Sequence, residues 1–223
     1  MAHELGLQLI EAITHDTNRL VFERPDGYDF KPGQATDLAL QKEGWKDEAR
    51  PFTFTSLPAQ DTLEFVIKSY PDHDGVTEQI GKMSAGDRVV IEEPWGAISD
   101  QGAGTFIAGG AGVTPFIAIL RSRMSEAGNL DGYRLILSNK SERDIILRRE
   151  FEAMPGLEVD FLLSDEDVDG LHHGRVDGEF LDRKLPDFDG TFYLCGPPPM
   201  EDAVSELLKE RGVTADRLIM EDE

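Results

Sequence analysis

The sequence predicts two folds in series, an antiparallel β-barrel over residues 1–100 and an α/β domain on a parallel sheet over residues 101–223. Three observations predict this. Short apolar runs separated by turn residues recur through the first hundred positions. Beyond Gly102-Ala103-Gly104, strand-length apolar runs alternate with helix-length amphipathic stretches. A glycine-rich turn, Gly109-Gly110-Ala111-Gly112, lies between the first such strand and the first such helix.

In the first part, strands are expected over 7–10, 19–22, 36–40, 52–55, 63–70 and 88–91. Pro25-Asp26-Gly27, Lys31-Pro32-Gly33 and Ala85-Gly86-Asp87 supply turns between them. Six strands at this spacing suit a closed or nearly closed barrel, interrupted by one helix over 76–83. In the second part, strands are expected over 105–108, 133–137, 157–163, 191–194 and 217–220. Helices are expected over 115–124, 142–154 (with Ser141 as its cap), 178–184 and 200–211.

Composition narrows the function classes. Forty-four acidic residues face 22 basic ones, a formal net charge of −22. Such a field repels nucleic acid and anionic membranes, so neither is an expected partner. The acids are dispersed, which reads as a solvated surface more readily than as a docking face for a basic partner. No run approaches the roughly 20 apolar residues of a membrane span, and Met1-Ala2-His3-Glu4 does not open a signal peptide. One cysteine, Cys195, excludes an internal disulfide and a cluster held by four of this stretch's own thiolates. A cytoplasmic location is the expectation.

Three segments carry chemistry. Gly109-Gly110-Ala111-Gly112-Val113-Thr114-Pro115 brings backbone close to a ligand and opens a helix whose free N–H groups suit a phosphate. Its spacing is neither the dinucleotide fingerprint nor a Walker loop, so alone it serves tight packing equally well. Arg50-Pro51-Phe52-Thr53-Phe54-Thr55-Ser56 sets a guanidinium beside alternating rings and hydroxyls. That pattern suits a phosphate at one end and a planar ring at the other, or simply an amphipathic strand. Cys195-Gly196-Pro197-Pro198-Pro199 closes an apolar strand at the carboxyl edge of the expected sheet, where α/β folds place ligands. Taken singly, that cysteine is a small core thiol. His172-His173 reads as an exposed loop pair, and no metal site is expected.

In this order, an Arg-x-aromatic-Thr strand, a GGxGxTP turn and a CGPP turn resemble the ferredoxin–NADP reductase family. The likeness is closest to its short bacterial flavodoxin and ferredoxin reductases and to cytochrome b5 reductase-like flavoproteins. It spans nearly the whole chain, and the segment Leu137-Ser138-Asn139-Lys140-Ser141-Glu142-Arg143-Asp144-Ile145-Ile146-Leu147 looks like the family's segment after the second α/β strand. The resemblance implies an NAD(P)H-dependent flavoprotein reductase with FAD in the barrel and NADH or NADPH in the α/β domain. It implies that Arg50 and Pro51 approach the flavin phosphate, that Phe52 packs on the flavin, and that Thr53 bonds near the hydride-accepting nitrogen. Phe52 replaces the family's usual tyrosine, so stacking remains without the phenol. Val66, Ile67 and Lys68 would line the flavin, and Gly75, Val76 and Thr77 would meet its phosphate at a helix start. Gly110, Gly112, Val113 and Thr114 would line the nicotinamide nucleotide, with Cys195, Gly196 and Pro197 near its ring. Thr53 and Cys195 are then the catalytic candidates. Many relatives end on an aromatic that covers the flavin, whereas Leu218-Ile219-Met220-Glu221-Asp222-Glu223 has none.

Two matters stay open in the sequence. Lys140 and Arg143 favour the 2′-phosphate of NADPH, whereas Ser164-Asp165-Glu166-Asp167 at the ribose edge repels it and favours NADH. Electrons leave to a separate ferredoxin, flavodoxin, haem protein or small molecule; the alternative is a flavin-carrying subunit active only within a larger complex. Arg121, Arg123, Arg143, Arg148 and Arg149 are the dense cationic stretches available to an acidic partner.

Overall fold

Alternation of buried and exposed side chains builds the first sheet. The computed structural model describes residues 2–71, 73–96 and 98–221; the sequence features at Met1 and at Asp222-Glu223 lie outside them. Strands β1 (His3–Ala12), β2 (Thr17–Glu23), β3 (Ala35–Leu40), β4 (Arg50–Thr53), β5 (Thr62–Lys68) and β6 (Arg88–Ile91) form one sheet in the order β4-β3-β6-β1-β2-β5. Its named pairings are all antiparallel, with Leu5 opposite Val89 and Leu20 opposite Phe65. The two outer strands meet at an antiparallel Phe54–Phe65 bridge, and the Thr55 N–H donates to the Glu64 carbonyl at 2.8 Å. The barrel is therefore nearly closed, which leaves little free strand edge. Phe54 fills its interior, stacked on Phe30 at 4.4 Å and tilted against Phe65 at 5.1 Å.

The chain divides into two units. Residues up to 99 join Thr114–Ser122 in the first, and Asp100–Val113 joins the residues from 123 onward in the second. In the second, β7 (Gly104–Gly109), β8 (Arg134–Asn139), β9 (Glu158–Leu163), β10 (His172–His173), β11 (Thr191–Cys195) and β12 (Leu218–Ile219) form a parallel sheet ordered β10-β9-β8-β7-β11-β12. Both faces of a parallel sheet are covered, so β7, β8 and β11 read as nearly unbroken apolar runs. Phe106 stacks on Tyr193 at 4.0 Å between rings, and Ile107, Ile136, Leu162 and Leu194 pack with Phe180, Val204 and Leu208. The helices are α1 (Val76–Ile80), α2 (Thr114–Ala127), α3 (Arg148–Glu152), α4 (Gly178–Lys184) and α5 (Pro198–Glu210). Among the described residues no helix is long and apolar enough to cross a membrane.

Two expectations are corrected. The helix expected over 142–154 is broken into a 3-10 turn, Glu142–Asp144, and the short α3. Ser141 caps the turn reciprocally with Asp144, but buried Ile145 is extended and Leu147 takes φ 52°, so helical hydrogen bonding stops between them. His172-His173 is not a loop but β10, paired in parallel with Leu162 and Leu163. His172 Nε2 lies 3.1 Å from buried Asp160, which also pairs with Arg134 and Lys184 at 2.7 Å each.

Candidate functional site

In the barrel unit, β4 is the strand paired with β3 at one end of the sheet order, with Arg50 opposite Leu38 and Phe52 opposite Thr36. Pro51 has no N–H to give, which suits an outer strand. The Arg50 side chain is exposed; one nitrogen donates to the Ala49 carbonyl at 2.7 Å and another pairs with Glu48 at 2.9 Å. Phe52 is half-buried against the barrel core, and half-buried Thr53 has no hydroxyl hydrogen bond to any described residue. On β5, Val66 and Ile67 are buried, while the Lys68 ammonium is held by Asp16 at 2.9 Å. The chain then reaches α1 through an extended Gly75, with Val76 buried and Thr77 half-buried. Arg50 and Thr53 on β4, and the first-turn N–H groups of α1, are each of a chemical type that suits a phosphorylated, ring-bearing cofactor.

In the second unit, the glycine-rich turn and the Cys195-Gly196-Pro197 turn are brought together. β7 and β11 are neighbours, with Ala108 opposite Cys195. A Cβ on Gly112 would collide with the Cys195 carbonyl, and one on Gly109 would lie 2.6 Å from Met200 Sδ and 2.8 Å from Pro197 Cδ. The two turns thus pack backbone on backbone at the carboxyl edge of the sheet. Gly110, at φ 54°, has nothing within 4 Å of where its Cβ would stand, so it faces open space. Val113 is buried at the end of this turn; Thr114, half-buried, and Pro115 open α2 and belong to the first unit. The Gly196 N–H donates to Glu201 at 2.8 Å. Burial, joined by the Glu221 and Glu201 carboxylates, pushes the Cys195 thiol up to about 12.

Sequence reasoning missed two features. Asn139 closes β8 at the same carboxyl edge, and both its amide nitrogen and its oxygen are buried without a hydrogen-bond partner. An unpaired buried amide costs about 1–3 kcal/mol per group. The only local signal was a polar residue ending an apolar strand. The second is buried Glu64 on β5. Arg19 Nε and Arg121 Nη1 each lie 2.6 Å from its carboxylate, and the Thr55 hydroxyl donates at 2.9 Å. Burial alone would raise this carboxyl, but Arg121, Arg19 and Thr55 hold it below its ordinary range.

Several of the arginines read as a cationic stretch are already paired. Arg121 engages Glu64, Arg123 engages Asp100 and Glu126, and Arg148 engages Glu142 and Glu152. Past β9, Asp165, Glu166 and Asp167 are exposed. The Ser164 hydroxyl donates to Asp165 at 2.6 Å, and the Glu142 N–H donates to Glu166 at 2.8 Å.

Comparison with known proteins is consistent with both halves. The family model for an oxidoreductase FAD-binding domain matches residues 4–99, and that for an oxidoreductase NAD-binding domain matches residues 106–206. The reductase component of propane 2-monooxygenase from Rhodococcus jostii (strain RHA1) is 32% identical, over 94% of this chain and 60% of its own length. NADH-cytochrome b5 reductase 2 from Emericella nidulans is 31% identical, over 90% of this chain and 68% of its own. A ferredoxin NADP+ reductase from Neisseria gonorrhoeae, solved with FAD and NADP bound, shares the fold at TM-score 0.86 and 20% identity, covering 98% of this chain and 97% of that one.

Proposed function

The chain belongs to the family of FAD- and NAD-binding oxidoreductases that includes the ferredoxin–NADP and cytochrome b5 reductases, and from that premise we propose that it is a reductase moving electrons from a nicotinamide nucleotide to a separate acceptor. FAD, when bound, supplies the chemistry that accepts a hydride and releases electrons onward. The observation that carries the reading is the packing of the Gly109–Gly112 turn on the Cys195-Gly196 turn, with Gly110 left open at the sheet's carboxyl edge.

In this reading residues 1–100 hold the flavin and residues 101–223 the nucleotide. Arg50 exchanges its Glu48 partner for the flavin phosphate, with Pro51 beside it on the outer strand. Phe52 offers a ring face, and the Thr53 hydroxyl, unpartnered among the described residues, orients the reacting edge. Val66, Ile67 and Lys68 line the flavin, and Gly75, Val76 and Thr77 turn N–H groups toward its phosphate. Gly110, Gly112, Val113 and Thr114 seat the nucleotide phosphates, while Cys195, Gly196 and Pro197 present a small, neutral surface to the nicotinamide. Cys195 acts by size and polarizability, because its raised thiol is not a nucleophile at neutral pH.

The exposed carboxylates of Asp165, Glu166 and Asp167 favour NADH over NADPH, since they repel a 2′-phosphate and accept from a free ribose hydroxyl. The relatives' names, a monooxygenase reductase component and a cytochrome b5 reductase, support an oxygenase component, ferredoxin or haem protein as acceptor. The chain spans 60% of the first of those relatives. That relative's name, a reductase component, supports as a second reading a flavin-carrying subunit working inside a larger complex. NADH oxidation by the isolated protein with an artificial acceptor separates the two. A single buried thiol suits the reducing cytoplasm.

The flavin site is tested by Arg50→Ala. Loss of a charge-assisted contact to phosphate raises the FAD dissociation constant about tenfold or more, measured by fluorescence titration of the apoprotein. An affinity within twofold of the unaltered protein removes Arg50 from the site.

A further inference from the structure

The buried Glu64 cluster joins two segments that the proposed function uses separately. Thr55 and Ser56 follow directly on β4, and both are tied to Glu64: the Thr55 hydroxyl donates to its carboxylate at 2.9 Å, and the Glu64 N–H donates to the Ser56 hydroxyl at 3.0 Å. Arg121 belongs to α2, whose first residues, Thr114–Ser122, cluster with the barrel. Its Nη1 donates both to Glu64 at 2.6 Å and to the Thr55 carbonyl at 2.8 Å. Arg19, from β2, completes the cluster on the opposite carboxylate oxygen and touches no part of α2 in it.

We propose that Glu64 and Arg121 form a positioning clamp that fixes α2 against the flavin strand, so that the helix start at Thr114 is held for hydride transfer. The proposal rests on the flavin and nucleotide reading given above. A buried carboxylate with part-buried guanidinium partners stabilises little against an apolar replacement but imposes one arrangement, because any other leaves the buried charge unpaired. Arg121 lies seven residues into α2, about 10 Å along a stiff rod from Thr114, so a shift at the clamp is carried to the start of the helix. Ångström-scale misplacement of reacting groups is felt as an order of magnitude or more in rate.

Arg121→Met and Arg19→Met test this, since each removes one guanidinium from the same carboxylate and only Arg121 reaches α2. Three quantities are measured: the limiting rate of flavin reduction by NADH in the FAD-loaded protein, amide exchange across residues 114–122 in the apoprotein, and the melting temperature. Arg121→Met is expected to lower the limiting rate about tenfold and to speed amide exchange in α2. Arg19→Met is expected to lower the melting temperature comparably while leaving the rate within about twofold. Equal rate effects of the two, or an unchanged rate in Arg121→Met, overturn the clamp. Should Arg121→Met not fold, Arg121→Lys keeps a charge for Glu64 and is expected to lower the rate several-fold; a rate unchanged in it is equally decisive against. If NADH does not reduce the flavin of the unaltered protein, the proposed function falls, while the amide-exchange comparison still decides the clamp.

Discussion

Cys195 shows how burial rewrites a side chain's role. Its sequence setting, before a Gly-Pro-Pro turn, is that of a residue at a ligand edge, but its thiol is buried and pushed up to about 12 by desolvation and two carboxylates. Reactivity follows the thiolate, so native protein treated with iodoacetamide at pH 8 is expected to stay unmodified by mass spectrometry, and to be alkylated only once unfolded. Stoichiometric alkylation of the folded protein contradicts this environment. What was legible in the sequence is local placement: Arg50, Phe52 and Thr53 on one strand, and Gly110 in the turn between a strand and a helix. Glu64 was not legible, because its partners Arg19 and Arg121 lie 45 and 57 positions away and only the folded first unit assembles them. Asn139 was hidden for a related reason: a missing partner is a property of packing, not of spacing.

At the scale of elements, the barrel strands follow from period-two burial and the turn glycines, and the parallel strands from apolar runs too short for helices. The 142–154 segment misled because its apolar spacing and charged residues suit a helix. Burial of Ile145 and Ile146 in the second unit overrides that preference and sends Leu147 into the left-handed region. The strands also carry the protein's acid sensitivity. Glu64 on β5 and Asp160 on β9 are both buried; burial would raise each carboxyl, but the paired cations outweigh it and hold each below its ordinary range. A carboxyl depressed by folding contributes its full stability above its unfolded value and loses it as pH falls through its folded value. Denaturant midpoints are therefore expected to hold from pH 7 to about 5 and to fall steeply below about pH 4. Glu64→Gln, which removes one of these groups, shallows that fall; an identical acid profile in the variant assigns the sensitivity elsewhere.

Over the whole molecule, the change of hydrophobic period near residue 100 announced two folds, and the structure divides the chain between an antiparallel barrel and a parallel sheet. The one exception is Thr114–Ser122, which lies in the second stretch of sequence but clusters with the barrel. Charge bears on partners more than on folding. At −22 overall, with Arg121, Arg123 and Arg148 engaged in internal ion pairs, the chain keeps few of those cations for an acidic carrier. The central claim is that nicotinamide electrons enter through a flavin held by this chain. Its most direct test is an anaerobic titration of the purified FAD-loaded protein with NADH, following the visible flavin band. Full bleaching at one NADH per flavin is expected; a flavin that dithionite bleaches but neither NADH nor NADPH reduces contradicts electron entry by this route.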